Sequence, residues 1–351
     1  MNDGKSRDRE NNQAETPEEA VLRRFWESRQ MTVYDYKELI PEGMKKRIAL
    51  IDVDGHNFPN LPLMKLSAWH KRRGDSVEWY DPLFHNEAYS KPFDIVYMSK
   101  VFTFTPDFQY PVNADVIIKG GTGYSYPDGG DPLPEEIEHI YPDYSLYGIT
   151  DTAYGFLTRG CPRNCEFCIV GKKEGLKSYK VANLSEFWRG QKNIMICDPN
   201  LIACPDWKDL IQQLIDSKAK VNINQGIGIR IMTEEKAEMI KKMRVDSVHF
   251  AWDRYEDKKR IVPKFKAFKE ITGWPARKTS VYVLTNFNTT TEQDLERIYT
   301  LRDLDYDPYV MIYDKEKTKR DDPVRKLQRW VNNRKIFKTI PKFEDYNSKM
   351  G

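Results

Sequence analysis

Six short apolar runs recur between residues 151 and 313: AYGFLT (Ala153–Thr158), NIMIC (Asn193–Cys197), KVNIN (Lys220–Asn224), DSVHFAW (Asp246–Trp252), TSVYVLT (Thr279–Thr285) and PYVMIY (Pro308–Tyr313). Their β-branched and aromatic content suits buried strands. Helical patterns separate most of them: PDWKDLIQQLIDSK, TEEKAEMIKKM, a stretch from about residue 256 to 271, and TEQDLERIYTLRDL. Thr233, and Thr290 or Thr291, stand before acidic partners as helix caps. Strands alternating with helices predict a parallel sheet with right-handed crossovers. Six units curl into most of a barrel without closing the usual eight-stranded one, and in such folds chemistry sits at the C-terminal ends of the strands.

Just after the first run comes TRGCPRNCEFC (Thr158–Cys168), which holds three of the chain's five cysteines in a C-x3-C-x2-C spacing. Thiolates are soft ligands that suit zinc and iron–sulfur clusters. A structural zinc site takes four protein ligands, commonly as paired C-x2-C knuckles. Here the fourth would have to be Cys197 or Cys204, and there is no second pair. A [4Fe-4S] cluster on three thiolates leaves one iron open to bind a molecule and pass it an electron. Simple electron carriers use four cysteines per cluster. The competing reading is a non-catalytic module in which zinc or an electron-transfer cluster stabilises an interaction protein.

Cys161-Pro162-Arg163-Asn164-Cys165-Glu166-Phe167-Cys168 resembles the C-x3-C-x-aromatic-C signature of the radical S-adenosylmethionine superfamily. The flanking Thr158-Arg159-Gly160 and Pro162 resemble its subgroup with an N-terminal cobalamin-binding-like domain. The resemblance implies an enzyme with a six-unit (β/α) core. Cys161, Cys165 and Cys168 would hold three irons of a [4Fe-4S] cluster, and S-adenosylmethionine would chelate the fourth through its amino and carboxylate groups. An external flavodoxin- or ferredoxin-like donor would supply the electron. Reductive cleavage of S-adenosylmethionine would then give a 5′-deoxyadenosyl radical for hydrogen abstraction or methyl transfer on a substrate the sequence does not name. Phe167 would lie against the adenine. Asp198 stands where the family often has a glutamate for the cofactor's amino group. Gly226 permits close backbone approach, and Arg230 offers a fork for the cofactor carboxylate. Asp253, Asn286 and Asn288 follow later strands and face the expected mouth. Cys197 and Cys204 are read as a small core residue and a loop thiol.

Upstream, RIALIDV (Arg47–Val53), a helical LPLMKLSAWHKRRG stopping at Gly74, SVEWYDP, DIVYMSKVF (Asp94–Phe102) and ADVIIKGG (Ala114–Gly121) read as a small open α/β sheet, Rossmann-like in pattern. It is similar to the cobalamin-binding-type domain, with Gly120, Gly121 and Gly123 at a strand end. The histidine-ligand pattern Asp-x-His-x-x-Gly is broken in Asp54-Gly55-His56-Asn57-Phe58-Pro59, so His56 is not read as an axial ligand, and bound cobalamin is the less favoured reading.

The expected organisation is a disordered tail over 1–20, an N-terminal α/β domain with a helical arm over 21–130, a radical core over 150–314 and a basic extension over 315–351. The boundary falls in the Pro-, Gly- and Tyr-rich stretch Tyr126–Asp151. From Lys315 to Lys349 there are twelve Lys/Arg against five Asp/Glu, interleaved with Trp330, Phe337 and Phe343. That pattern suits a solvated helix over the open side of the barrel, or a surface for nucleic acid or another acidic partner. No apolar run reaches the ~20 residues that span a bilayer. The polar start lacks a secretory signal, so the chain is read as cytoplasmic, where thiols stay reduced. The near balance of 56 Lys+Arg and 53 Asp+Glu names no partner class.

Overall fold

The computed structural model describes residues 45–347. The tail and helical arm expected before residue 45 lie outside that range. The described residues form two compact units, one of residues 45–55, 69–125 and 130–138, the other of 56–68, 126–129 and 139–347.

The first unit is built on strands β1 (Arg47–Asp52), β2 (Ser76–Trp79), β3 (Phe93–Ser99) and β4 (Ala114–Gly120). They form a fully parallel sheet in the order β2-β1-β3-β4. β1 and β3 are central, and their apolar runs are buried almost throughout. Ala49, Ile51, Tyr80, Phe93, Val96 and Met98 make one core cluster. Helix α1 (Leu61–Arg73) ends in a basic turn, and Gly74 follows at φ +86°, the left-handed stop expected of it.

The second unit contains β5 (Thr152–Gly155), β8 (Asn193–Ile196), β9 (Lys220–Ile223), β10 (Val245–Ala251), β11 (Thr279–Thr285) and β12 (Asp307–Ile312). All five pairings are parallel, and the strands lie side by side in chain order. A separate two-stranded ribbon, β6 (Thr158–Arg159) with β7 (Tyr179–Lys180), is antiparallel. Helices α2 (Val170–Glu174), α3 (Trp207–Ser217), α4 (Glu234–Lys242), α5 (Lys258–Thr272) and α6 (Thr291–Asp303) follow in order. Thr233 caps α4 by accepting from Lys236 N, and Thr290 caps α6 with a reciprocal bond from Gln293. One face of the sheet buries its side chains against these helices: Val248, Phe250, Val281 and Val283 are fully buried with Leu210, Ile211, Phe265 and Phe268. The alternate residues, Ser247, His249, Ser280 and Tyr282, line a cavity on the other face.

The basic extension folds inward. α7 (Pro323–Asn332) starts with Pro323 after the Asp322 cap, and α8 (Arg334–Thr339) follows. Leu327, Trp330, Val331 and Phe337 are buried in the core of the second unit, and Phe343 packs against it. The Trp330 indole donates to the Ile340 carbonyl at 2.9 Å. The interleaved aromatics face the core, and most of the neighbouring Lys and Arg side chains face solvent. Among the described residues no helix is long and apolar enough to cross a membrane.

Candidate active site

The first core strand ends earlier than the sequence predicts, at Gly155 rather than residue 158. A side chain at Gly155 would overlap the Phe187 ring, so the backbone is held close there. The chain then leaves the sheet through Phe156 and Leu157 and enters the β6–β7 ribbon. That ribbon closes the base of the segment carrying the cysteines. Gly160 sits at φ +77°, and a Cβ would collide with the Lys177 carbonyl oxygen. Glu174 secures both neighbours: it pairs with Arg159 Nη1 at 2.8 Å and accepts from Gly160 N at 3.0 Å. Cys161 N donates to the Gly175 carbonyl, and Cys168 N to the Cys165 carbonyl.

Asp198 has a different task from the one expected of it. It is fully buried and accepts from Leu157 N at 2.8 Å, Thr158 N at 2.7 Å and Thr158 Oγ1 at 2.6 Å. Burial pushes its carboxyl up to about 7, against the pull of these three donors. Both oxygens are committed to the segment that leads into the cysteine loop. Asp198 is therefore a brace for that loop, not a surface facing a cofactor.

Cys161, Cys165 and Cys168 line one cavity of about 900 Å³, with Arg163, Asn164, Phe167, Asn224, Gly226 and Asp253 nearby on its wall. Burial raises the Cys165 and Cys168 thiols, with the Arg163 charge opposing. Metal binding there would have to displace protons. Among the described residues no three His, Cys, Asp or Glu side chains converge on a single ion position.

Two ion pairs tie the cysteine loop to the end of β10: Arg163 with Asp253 at 2.9 Å, and Arg254 with Glu166 at 3.1 Å. The β10 end is itself anchored by Arg297 of α6. That guanidinium is fully buried and donates to the carbonyls of Trp252 (2.6 Å), Asp253 (3.1 Å) and Leu284 (2.7 Å), and to Asp294.

The remaining expected residues divide. Phe167 is on the wall, its ring edge-on to Phe287 at 5.4 Å. Gly226 is on the wall at φ +111°, where a Cβ would press within 3.2 Å of the His249 carbonyl oxygen. Arg230 lies off the wall and pairs with Asp257. Asn286 is also off the wall, a left-handed turn residue at φ +60° donating to the Tyr313 carbonyl at 2.9 Å. Cys204 is buried, its thiol 3.8 Å from Asp206 Oδ2, and burial pushes the Cys197 thiol up to about 12. Neither lines the cavity.

Sequence reasoning missed the inner wall. His249 Nδ1 lies 3.0 Å from the Ile223 carbonyl, so it carries the hydrogen. The imidazole stacks on Tyr282 at 5.2 Å and 9°, and Tyr282 meets Tyr309 edge-on at 5.9 Å. The signal that could have found them is period-two alternation: His249 and Tyr282 sit between buried Val248 and Phe250, and between Val281 and Val283.

In the first unit, Gly121 and Gly123 pack closely against Lys100. A Cβ at Gly121 would strike the Lys100 carbonyl oxygen, and one at Gly123 the Lys100 side chain at 2.6 Å. These glycines serve close packing of the segment after β3 against that after β4. Gly120 has open space beside it.

The architecture is similar to that of a radical S-adenosylmethionine methyltransferase, TsrM from Kitasatospora setae, solved with cobalamin and a [4Fe-4S] cluster bound. The TM-score is 0.54 at 13% identity, over 77% of this chain and 75% of that one. The chain shares the fold of that enzyme, and at this identity the fold alone is what the two proteins share. Streptococcus suis SuiB is more distant: bound to S-adenosylmethionine it gives a TM-score of 0.40 at 15% identity, over 54% of this chain and 48% of that chain. A second SuiB structure gives 0.36 at 13%, over 56% and 47%. No family model matches the chain, and no curated protein matches it.

Proposed function

We propose that the chain is a radical S-adenosylmethionine enzyme. The observation that carries the reading is the donor set: three thiols at C-x3-C-x2-C spacing on the wall of one cavity, beyond the C-terminal end of the first strand of the six-stranded sheet. In this reading the second unit is a (β/α)6 partial barrel over roughly 150–314 with residues 315–347 closing its edge, and the first is a cobalamin-binding-like α/β domain.

The residues fit a [4Fe-4S] cluster held by Cys161, Cys165 and Cys168. A cluster there would supply the electron that splits the sulfonium carbon–sulfur bond of S-adenosylmethionine, giving methionine and a 5′-deoxyadenosyl radical. The chain's own residues do the rest. Phe167 offers a ring face and backbone to the adenine. Gly226, at a positive φ beside the His249 carbonyl, shapes the wall next to the cysteines. The part of the wall with His249, Tyr282 and Tyr309 receives the substrate from which hydrogen is abstracted or to which a methyl group is transferred. The electron comes from an external reduced flavodoxin- or ferredoxin-like protein. Cobalamin is the less favoured cofactor, because Pro59 breaks the Asp-x-His-x-x-Gly pattern at His56.

The test is anaerobic reconstitution. Brown protein with about four irons and four sulfides per chain, releasing 5′-deoxyadenosine from S-adenosylmethionine on reduction, is expected. Cys161→Ala, Cys165→Ala and Cys168→Ala should each abolish iron loading and cleavage, while Cys197→Ala and Cys204→Ala keep both. Colourless protein with one tight zinc, or loss of the cluster in Cys197→Ala or Cys204→Ala, overturns the assignment.

A further inference from the structure

We propose that Arg163, inside the cysteine loop, is the residue that receives the carboxylate of S-adenosylmethionine; the proposal rests on the functional reading above. S-adenosylmethionine carries one carboxylate, and its oxygen not taken by the open iron still needs a hydrogen-bond donor inside the cavity. Three arginines line the cavity: Arg163, Arg277 and Arg334. Arg334 is paired with Asp307, the first residue of β12, at the N-terminal end of the strands and away from the cysteines. Arg277 precedes β11, at the N-terminal end of the strands and away from the cysteines. Arg163 stands between Cys161 and Cys165. Arg230, the residue the sequence suggested, is off the wall and held by Asp257.

Arg163 is also preorganised and incompletely used. Its Nη2 donates to Asp253 at 2.9 Å, with the Asp253 side chain only 10% exposed. Arg297 fixes the Asp253 backbone in turn. The Nε–H of Arg163 is buried with no hydrogen-bond partner among the described residues. A buried charged donor without an acceptor is costly to keep, and a bound carboxylate would satisfy it. Asp253 fixes the fork's direction and leaves that donor over.

The experiment compares wild type with Arg163→Met, both reconstituted anaerobically and matched for iron content. Binding of S-adenosylmethionine and of decarboxylated S-adenosylmethionine is measured by titration of the reduced cluster's electron paramagnetic resonance. Arg163→Met should weaken S-adenosylmethionine about ten- to a hundredfold and leave the decarboxylated compound bound as by wild type. Because Arg163→Met strands the Asp253 charge, Arg163→Met/Asp253→Asn is tested beside it and should show the same selectivity. Equal binding of S-adenosylmethionine by wild type and variant, equal losses for both compounds, or loss of the cluster in both variants overturns the proposal. Wild type that loads a cluster and binds neither compound, or loads none, overturns the functional reading itself.

Discussion

The side-chain amide of Asn332 pairs with both backbone groups of Val310: its Oδ1 accepts from Val310 N at 2.8 Å, and its Nδ2 donates to the Val310 carbonyl at 3.0 Å. β12 is the end strand of the six-stranded sheet, so its outer N–H and C=O groups need covering. One side chain of α7 does here what a seventh strand would do, and Gln328 adds a bond to the same carbonyl at 3.0 Å. Asn332→Leu should cost about 1–3 kcal/mol in urea unfolding. Asn332→Asp, which keeps the acceptor and loses the donor, should cost less. An unchanged midpoint for Asn332→Leu would show that the edge is satisfied some other way.

Asp198→Ala should leave two backbone N–H groups and the Thr158 hydroxyl unpaired in a buried place. The expected loss is at least about 3 kcal/mol, with iron uptake reduced because the entry to the cysteine loop slackens. Thermal unfolding before reconstitution and iron content after it are the two readings. A variant that folds as wild type and fails only to bind S-adenosylmethionine would restore Asp198 to the cofactor.

His70 of α1 is fully buried, its Nδ1 2.7 Å from Asp75 and its Nε2 3.1 Å from the Tyr97 hydroxyl. Asp75 can only accept, so Nδ1 carries the hydrogen and Nε2 accepts from Tyr97. Burial lowers the imidazole from 6.5 to about 4, and Asp75 offsets only part of this. The unfolded chain therefore takes up a proton below about 6.5 that the folded chain refuses until about 4. Stability from this group is full above the upper value and is lost as pH falls through the window, about 3 kcal/mol in all. Urea unfolding of wild type should weaken between pH 7 and 4.5 more than that of His70→Gln. Parallel pH profiles would mean that His70 takes up its proton at the same pH in the folded and the unfolded chain.

Local chemistry made much of the fold legible. β11 spans Thr279–Thr285, as the TSVYVLT run indicates, and the Thr233 and Thr290 caps hold because a hydroxyl followed three residues later by a free N–H is decided within one turn. The roles of Asp198 and Arg230 depended on partners distant in sequence or direction: Asp198 turns back to residues 157 and 158, and Arg230 turns to Asp257. A carboxylate after a strand looks the same in sequence whether it faces a ligand or braces a loop. Gly121 and Gly123 pose the same ambiguity, since close approach by a ligand and close approach by Lys100 both demand glycine. The cysteine spacing was informative because it is local, whereas the wall of His249, Tyr282 and Tyr309 assembles across three strands.

Arg297 joins the ends of β10 and β11 through three carbonyls, those of Trp252, Asp253 and Leu284, while its charge is met by Asp294 one turn earlier on α6. Both side chains are almost wholly excluded from water. Removing one partner leaves the other as an uncompensated buried charge, so Arg297→Met should destabilise by about 3–5 kcal/mol. Asp294→Asn should cost less, because Arg297 keeps its carbonyl acceptors. In Arg297→Met/Asp294→Asn no charge is left stranded, and part of the loss should return. The shortfall that persists measures the carbonyl bonds, since those acceptors stay unpaired in the double variant. If the double variant is as unstable as the sum of the singles, the pair is not coupled and Arg297 stabilises the strand ends independently of Asp294.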